Sequence, residues 1–432
     1  MLRSVTRVFA FALTAVVFSL GLLSTAANAP DRGGKDPLSK DPYKLACCAL
    51  GPTPSNPKGG EAYTGPYDLD PKWQPQPMET RKGYLLGSKA AVFAETSNRI
   101  FVLNRGELKI PEGFPHPHPR PYNDEPSPYV APFNGTFGSM EMRAANKRPI
   151  EMHNCIIVVD GNGKMLESWT QWDHLFVVPN PLHVGGAPNH HDDGGRGPHS
   201  IKISPYDPER HVWVVDDDSQ QVYEFTNDGK KLVMTLGEHN IPGTDDKHFG
   251  KPTDIAFWPD GSFFVSDGYE NTRIVKFDKN GKFLKAWGTP GSGPGQLYAP
   301  HSIDTDPRNH RVYVADRDNS RIQVFDENGK FLDMWPNIFQ PFHIMVTADG
   351  NLGVIDGESN KVLKYDMNGR LLSEWGSLGA FPGMIWGVHG FHVDPDGNLL
   401  VAEAFGGRTQ KFVPKRGADR AQLIGAPVQL MK

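Results

Sequence analysis

The chain has 432 residues, 38% of them hydrophobic, with 46 glycines and 38 prolines. That is enough chain for one large core or two domains, and so much glycine and proline fits many tight turns better than a helical protein. A net charge of −5 supplies no basic surface, which argues against nucleic acid as a partner. Three cysteines, Cys47, Cys48 and Cys155, rule out a disulfide framework.

Met1 to Leu23 places Arg3 and Arg7 ahead of an apolar run, and Ala27-Asn28-Ala29 gives a small-x-small cleavage site. Residues 1–29 therefore read as a signal peptide, with a membrane anchor as the weaker reading. No later segment is apolar enough to span a bilayer. The mature protein is expected to be exported, periplasmic or secreted, without stable membrane insertion after signal cleavage. Residues 30–82, rich in proline, glycine and charge, read as an extended leader.

From residue 83 onward the chain repeats. Lys251-Pro252-Thr253-Asp254-Ile255 opens an apolar run, Asp260-Gly261 turns it, and Phe263 to Asp267 answers. Asn271 to Phe277 follows, and Asn280-Gly281 turns again into Phe283 to Trp287; Pro300 to Trp335 repeats the pattern. Four short strands joined by Asn-Gly and Asp-Gly turns make an antiparallel meander. Its recurrence at roughly 40 to 50 residues points to propeller blades. Six units are counted, beginning at Ala91, His199, Thr253, His301, Phe342 and His389. The fold expected for 83–432 is all-β, a six-bladed β-propeller with insertions at 107–154 and 173–197. Tyr84-Leu85-Leu86-Gly87 reads as the end of an outer strand, by which the N-terminal segment would complete the last blade.

In such a blade the first strand lines the central channel, and the loop after the second strand returns to the mouth where the first began. Aligning the first-strand starts puts His199, His301 and His389 at one register in blades two, four and six. Thr253 and Phe342 hold that register in blades three and five. Alternate blades of a six-fold ring are related by a three-fold rotation, so the three imidazoles should face one axial point. Three histidines with an open fourth position make a catalytic zinc site. Histidines also fill channel mouths as hydrogen-bonding spacers, but the shared register favours a metal. His343 is one residue out of register and reads as structural, His116 and His118 as solvated. His190, His191 and Asp192 are a weaker metal cluster, in an insertion that also carries His183 and Asp193.

The loops after the second strands carry a recurrent acid that caps turn N–H groups. Arg105 and Arg317 follow that position directly, and Tyr269 comes two after. Two arginines facing a metal suit a carboxylate-bearing ligand held by bidentate contacts. A tyrosine between cations loses its proton more readily and can act as a base.

His248-Phe249 with Lys251 to Asp254, Val265 to Tyr269, Asn271 to Val275, Pro300-His301-Ser302 and Val314 to Arg317 together resemble peptidyl-α-hydroxyglycine α-amidating lyase, a six-bladed propeller of the NHL-repeat type. The similarity is dense from Pro198 to Phe325, thinner to Phe412, and touches Asn104-Arg105-Gly106. It implies zinc on His199, His301 and His389, with Tyr269 as base and Arg105 and Arg317 holding a small carboxylate-bearing or peptide substrate. The family's paired cysteines are replaced by Glu270 and Val324. Its calcium-binding acid after the third zinc histidine is replaced by Gly390. The alternative function is a non-catalytic exported NHL propeller that binds a peptide or glycan at its mouth. A lactonase-type propeller is disfavoured, since such sites need acidic metal ligands.

Overall fold

The computed structural model describes residues 63–73, 79–109, 121–122, 125–126, 150–178, 197–379 and 381–431. The expected signal peptide, most of the leader, Cys47, Cys48, His116, His118, His183 and the run from His190 to Asp193 lie outside them. Among the described residues, no helix is long and apolar enough to cross a membrane.

The described chain is a six-bladed β-propeller. Its innermost strands are Lys89–Thr96, Ser200–Ile203, Pro252–Phe257, Pro300–Asp306, Pro341–Val346 and Val388–Val393. They pack in sequence order, and the last returns to the first. The third blade shows why these residues form these strands. Every residue of Pro252–Phe257 and of Phe263–Asp267 is buried, whereas Phe283–Trp287 at the rim is half-buried or exposed. A strand covered on both faces reads as a continuous apolar run, and a rim strand keeps a polar face. Successive residues serve opposite sides: Ile255 packs in the core shared with the second blade, and Ala256 in the core shared with the fourth.

The Asn-Gly turns do two jobs. The Asp278 carboxylate accepts from the Asn280 and Lys282 N–H groups, and Asp326 repeats this with Asn328 and Lys330. The turn glycines also receive a tryptophan from the preceding blade: Trp169 lies against Gly229, Trp287 against Gly329 and Trp335 against Gly369. In the second blade Met234 and Leu236 take that place against Gly281. Gly329 has φ 80°, and an added Cβ would collide with the Trp287 ring. Gly329→Ala is therefore expected to destabilise the protein by about 2 kcal/mol or more, combining left-handed strain with overpacking. Urea denaturation measures this, and a cost near zero would show that the tryptophan–glycine contact does not hold the blades together.

Ring closure differs from the expectation. The outer strand of the last blade is Tyr67–Leu69, pairing antiparallel with Arg408–Pro414. Tyr84–Leu86 instead joins Glu79–Arg81, Glu107–Lys109 and Ile150–Glu151 in an additional four-stranded sheet. The reason is chain length: only Gly87 and Ser88 separate Leu86 from the innermost strand of the first blade. Buried Glu107 ties the added sheet together, accepting from Arg81 Nε (2.8 Å), Asn154 Nδ2 (2.6 Å) and Thr80 Oγ1. At the opposite end of the ring the C-terminal segment crosses the channel. Pro427 bridges to Thr347 of the fifth blade, and the Met431 N–H donates to the Pro205 carbonyl of the second. Pro427, Val428 and Leu430 thereby line a chamber of about 80 Å³ inside the lower channel.

Candidate metal centre at the channel mouth

The first-strand register that carries the histidines is also a break in the sheet. Pairing skips Ala90, Thr253, His301, Phe342 and His389, one residue in each of five blades. A bulge leaves its residue out of the ladder and re-aims it. In the remaining blade His199 stands just ahead of the strand, its N–H donating to Val215 O. Lys251 and Ala299, two residues before Thr253 and His301, hold left-handed backbone (φ 60° and 52°), a strain that clusters at functional sites.

The six positions alternate in use. His199 Nδ1 donates to Thr253 O (2.6 Å), His301 Nδ1 to Phe342 O (2.6 Å) and His389 Nδ1 to Ala90 O (2.8 Å). A carbonyl only accepts, so each Nδ1 carries the proton and each Nε2 keeps its lone pair. One ligand nitrogen from each ring lies within 4.8 Å of the other two. Ring centroids are 4.5 to 4.9 Å apart. Burial above all, then His389 and the Arg317 and Arg105 charges, drives the His301 pKa well below its ordinary value. Neutral imidazoles oriented by carbonyls are what a metal ligand requires. The donor set fits zinc. Three nitrogens converge, and among the described residues no carboxylate joins them, as calcium or magnesium would demand.

The other three predicted residues stand at the same place. The Tyr269 hydroxyl is 2.7 Å from His301 Nε2 and 3.1 Å from His199 Nε2. Arg105, 1% exposed, brings a guanidinium nitrogen 3.4 Å from His389 Nε2 and turns its Nε to Pro198 O. Arg317 lies over the Tyr269 ring at 5.0 Å and the Phe342 ring at 5.6 Å, its Nε paired with Asp318 (2.7 Å). The mouth is thus cationic on two sides of the imidazoles. The recurrent acids lie away from the site, clamping loops: Asp267 accepts from the Gly250 N–H and Arg273, and Asp316 from the Tyr298 N–H and Arg321. His343 points down the channel, edge-on to Phe391 at 5.1 Å.

One set of contributors carries no signal in side-chain spacing. The carbonyls of Ala90, Thr253 and Phe342 are backbone groups, which any residue supplies. Phe342 also stacks on His301 (5.1 Å, 22°) and walls the mouth beneath Arg317. A second cluster, Asp207, His211 and Glu224, has ligand atoms as close. There Asp207 accepts from the His211 N–H (2.7 Å) and Nδ1 (2.8 Å), which accounts for it as a turn cap.

Fold and mouth define a six-bladed β-propeller with a three-histidine centre at one end of its channel. A family profile described as a 6-bladed β-propeller matches residues 241–334. In sequence the propeller is similar to peptidyl-α-hydroxyglycine α-amidating lyases over part of its length. The probable peptidyl-α-hydroxyglycine α-amidating lyase of Caenorhabditis elegans is 40% identical over 133 residues, 29% of this chain and 37% of that protein. Peptidyl-α-hydroxyglycine α-amidating lyase 1 of Drosophila melanogaster is 37% identical over 132 residues, 28% and 24% of the two chains. The peptidylglycine α-amidating monooxygenase of Rattus norvegicus is 29% identical over 262 residues, 57% of this chain and 22% of that one. The chain thus spans well under half the length of each of these relatives. Among solved structures, virginiamycin B lyase from Staphylococcus aureus superposes with a TM-score of 0.44 at 12% identity, over 80% of this chain and 99% of that one.

Proposed function

We propose that the protein is a zinc-dependent lyase that cleaves the carbon–nitrogen bond of an α-hydroxyglycine-type carbinolamide, releasing an amide and glyoxylate. One observation carries this reading: three Nε2 lone pairs, a phenolic oxygen and two guanidinium groups meet at one mouth. The names of the relatives support it independently. His199, His301 and His389 would hold the zinc. When bound there, zinc supplies Lewis acidity at the substrate hydroxyl and so lessens the demand on the base.

The chain's own groups account for the remaining steps. Arg105 and Arg317 fix the substrate carboxylate from two sides, which sets the hydroxyl toward Tyr269. The base form of Tyr269 takes the hydroxyl proton as the carbon–oxygen double bond forms and the carbon–nitrogen bond breaks. Its oxygen then returns that proton to the departing nitrogen, so the reaction needs no water and no redox partner. Export of the mature chain, implied by residues 1–29, belongs to the same reading.

Incubation of purified protein with N-benzoyl-α-hydroxyglycine should yield glyoxylate and benzamide, with about one zinc per chain by metal analysis. A protein with neither zinc nor glyoxylate release would be a binding module instead. Arg317→Lys keeps the charge but loses the planar fork. It should raise KM by roughly tenfold, the scale of one charge-assisted hydrogen bond. An unchanged KM would remove Arg317 from carboxylate binding.

A further inference from the structure

Directly beneath the three histidines lies a buried charge that the reaction does not use. Asp254, 1% exposed, follows Thr253, whose carbonyl orients His199. Its Oδ1 accepts from Ser200 Oγ (2.5 Å). Its Oδ2 accepts from Ser302 Oγ (2.6 Å), the Ile303 N–H (3.1 Å) and Lys202 Nζ (2.7 Å). Ser200 and Ser302 are the residues immediately after His199 and His301. One carboxylate from the third blade therefore grips the second and fourth blades just below their metal-binding side chains.

Lys202 reaches that carboxylate from the second blade and continues to the fourth, where its Nζ donates to Ile303 O (2.9 Å). The ammonium thus spans three blades within the channel, and its side chain is 13% exposed. Between the histidines and Asp254 there remains a cavity of about 10 Å³, lined by Ala91, Ser200, Thr253 and Asp254 among others. A single water needs at least about that much. A hydrated divalent ion does not fit in so small a space. Below, the chamber walls bring Asp304, His343 and His392. His343 and His392 stay neutral, held at about 4 and about 3 by burial first and by the Lys202 charge among lesser causes. Lys202 is the cation paired with Asp254, while Asp304 is pushed up to about 6, by burial first and against the pull of the Lys202 charge.

We propose that Lys202 is a built-in cation of the axial channel, which locks Asp254, Ser200 and Ser302 so that His199 and His301 are held in metal-binding register without a divalent ion below them. Lys202 and Asp254 are positioning residues, since they touch neither the metal-binding nitrogens nor the mouth. The proposal rests on the metal-centre reading for its effect on zinc. Its claim about calcium stands apart from that reading. Gly390 has a local reason of its own, since an added Cβ would lie 3.1 Å from Ala90 O and 3.2 Å from Ala91 Cα.

The test uses the full-length mature protein, with two measurements on each variant. Zinc affinity is read by competition with a chromogenic chelator, and Tm is read with calcium added or removed by EGTA. Wild-type Tm should be the same in calcium and in EGTA. Lys202→Met and Asp254→Asn should each weaken zinc binding by roughly 10- to 100-fold, the scale of an outer-shell partner. Lys202→Met should in addition acquire a Tm that rises with calcium, because its Asp254 carboxylate then lacks a counter-charge. Simple damage to the fold would not create that response. Should either charge variant fail to fold, Ser200→Ala with Ser302→Ala keeps both charges and removes only their link to the histidine strands; its zinc affinity should fall by about tenfold. Calcium-dependent Tm in the wild type would overturn the built-in cation, and wild-type zinc affinity in Asp254→Asn or in the serine double variant would overturn the positioning role. A wild type that binds no zinc would sink the proposed function, while the calcium comparison would still decide whether Lys202 replaces a divalent ion.

Discussion

His301→Ala is expected to abolish both stoichiometric zinc and glyoxylate release while leaving a folded propeller. His301 is one corner of the constellation, its ring 4.8 Å from His199 and 4.9 Å from His389, with its Nε2 at the Tyr269 hydroxyl. Two imidazoles cannot complete a tetrahedral site, so affinity should fall by more than the roughly 100-fold that an outer-shell loss costs. The fold should survive for local reasons. Strand Pro300–Asp306 keeps its pairing with Arg311–Asp316, and the bulge leaves residue 301 outside that ladder. The lost stacking on Phe342 should cost about 1 kcal/mol. Metal analysis beside a circular-dichroism melt separates the two effects. One zinc per chain in the variant would mean that the ligands are other residues.

Tyr269→Phe should behave in the opposite way, keeping zinc and losing turnover. The phenyl ring preserves the edge-on packing against His199 and His301, each at 5.4 Å, and the face beneath Arg317. Only the oxygen within reach of two Nε2 atoms is removed. General acid–base catalysis is commonly worth 10²- to 10⁴-fold, so kcat should drop by about 10²-fold or more with zinc content unchanged. A variant turning over at the wild-type rate would place the base elsewhere, and the assignment of Tyr269 would fail even with the metal site intact.

Much of the fold is legible in the sequence, because blade structure is local. Asn-Gly and Asp-Gly turns, short apolar strands and their recurrence are all set within about 50 residues. The register of His199, His301 and His389 follows from that repeat, as do the positions of Arg105, Arg317 and Tyr269 at the returning loops. Once a repeat unit is aligned, side chains at one register must face one axis, and no long-range information is required.

What tertiary structure alone decided involves pairings without a local signature. Tyr67–Leu69, three residues inside a stretch that reads as leader, closes the ring because it finds the free edge of Arg408–Pro414. So short a strand shows no periodicity to read. The bulges at Ala90, Thr253, His301, Phe342 and His389, and the carbonyls that fix the imidazole tautomers, are backbone features that no side-chain pattern records. The Lys202–Asp254 pair joins residues 52 apart and draws in Ser302 and Ile303 from a third blade. Sequence determined which residues reach the channel; only ring closure determined which partner each one meets there, because those contacts run between blades rather than along them.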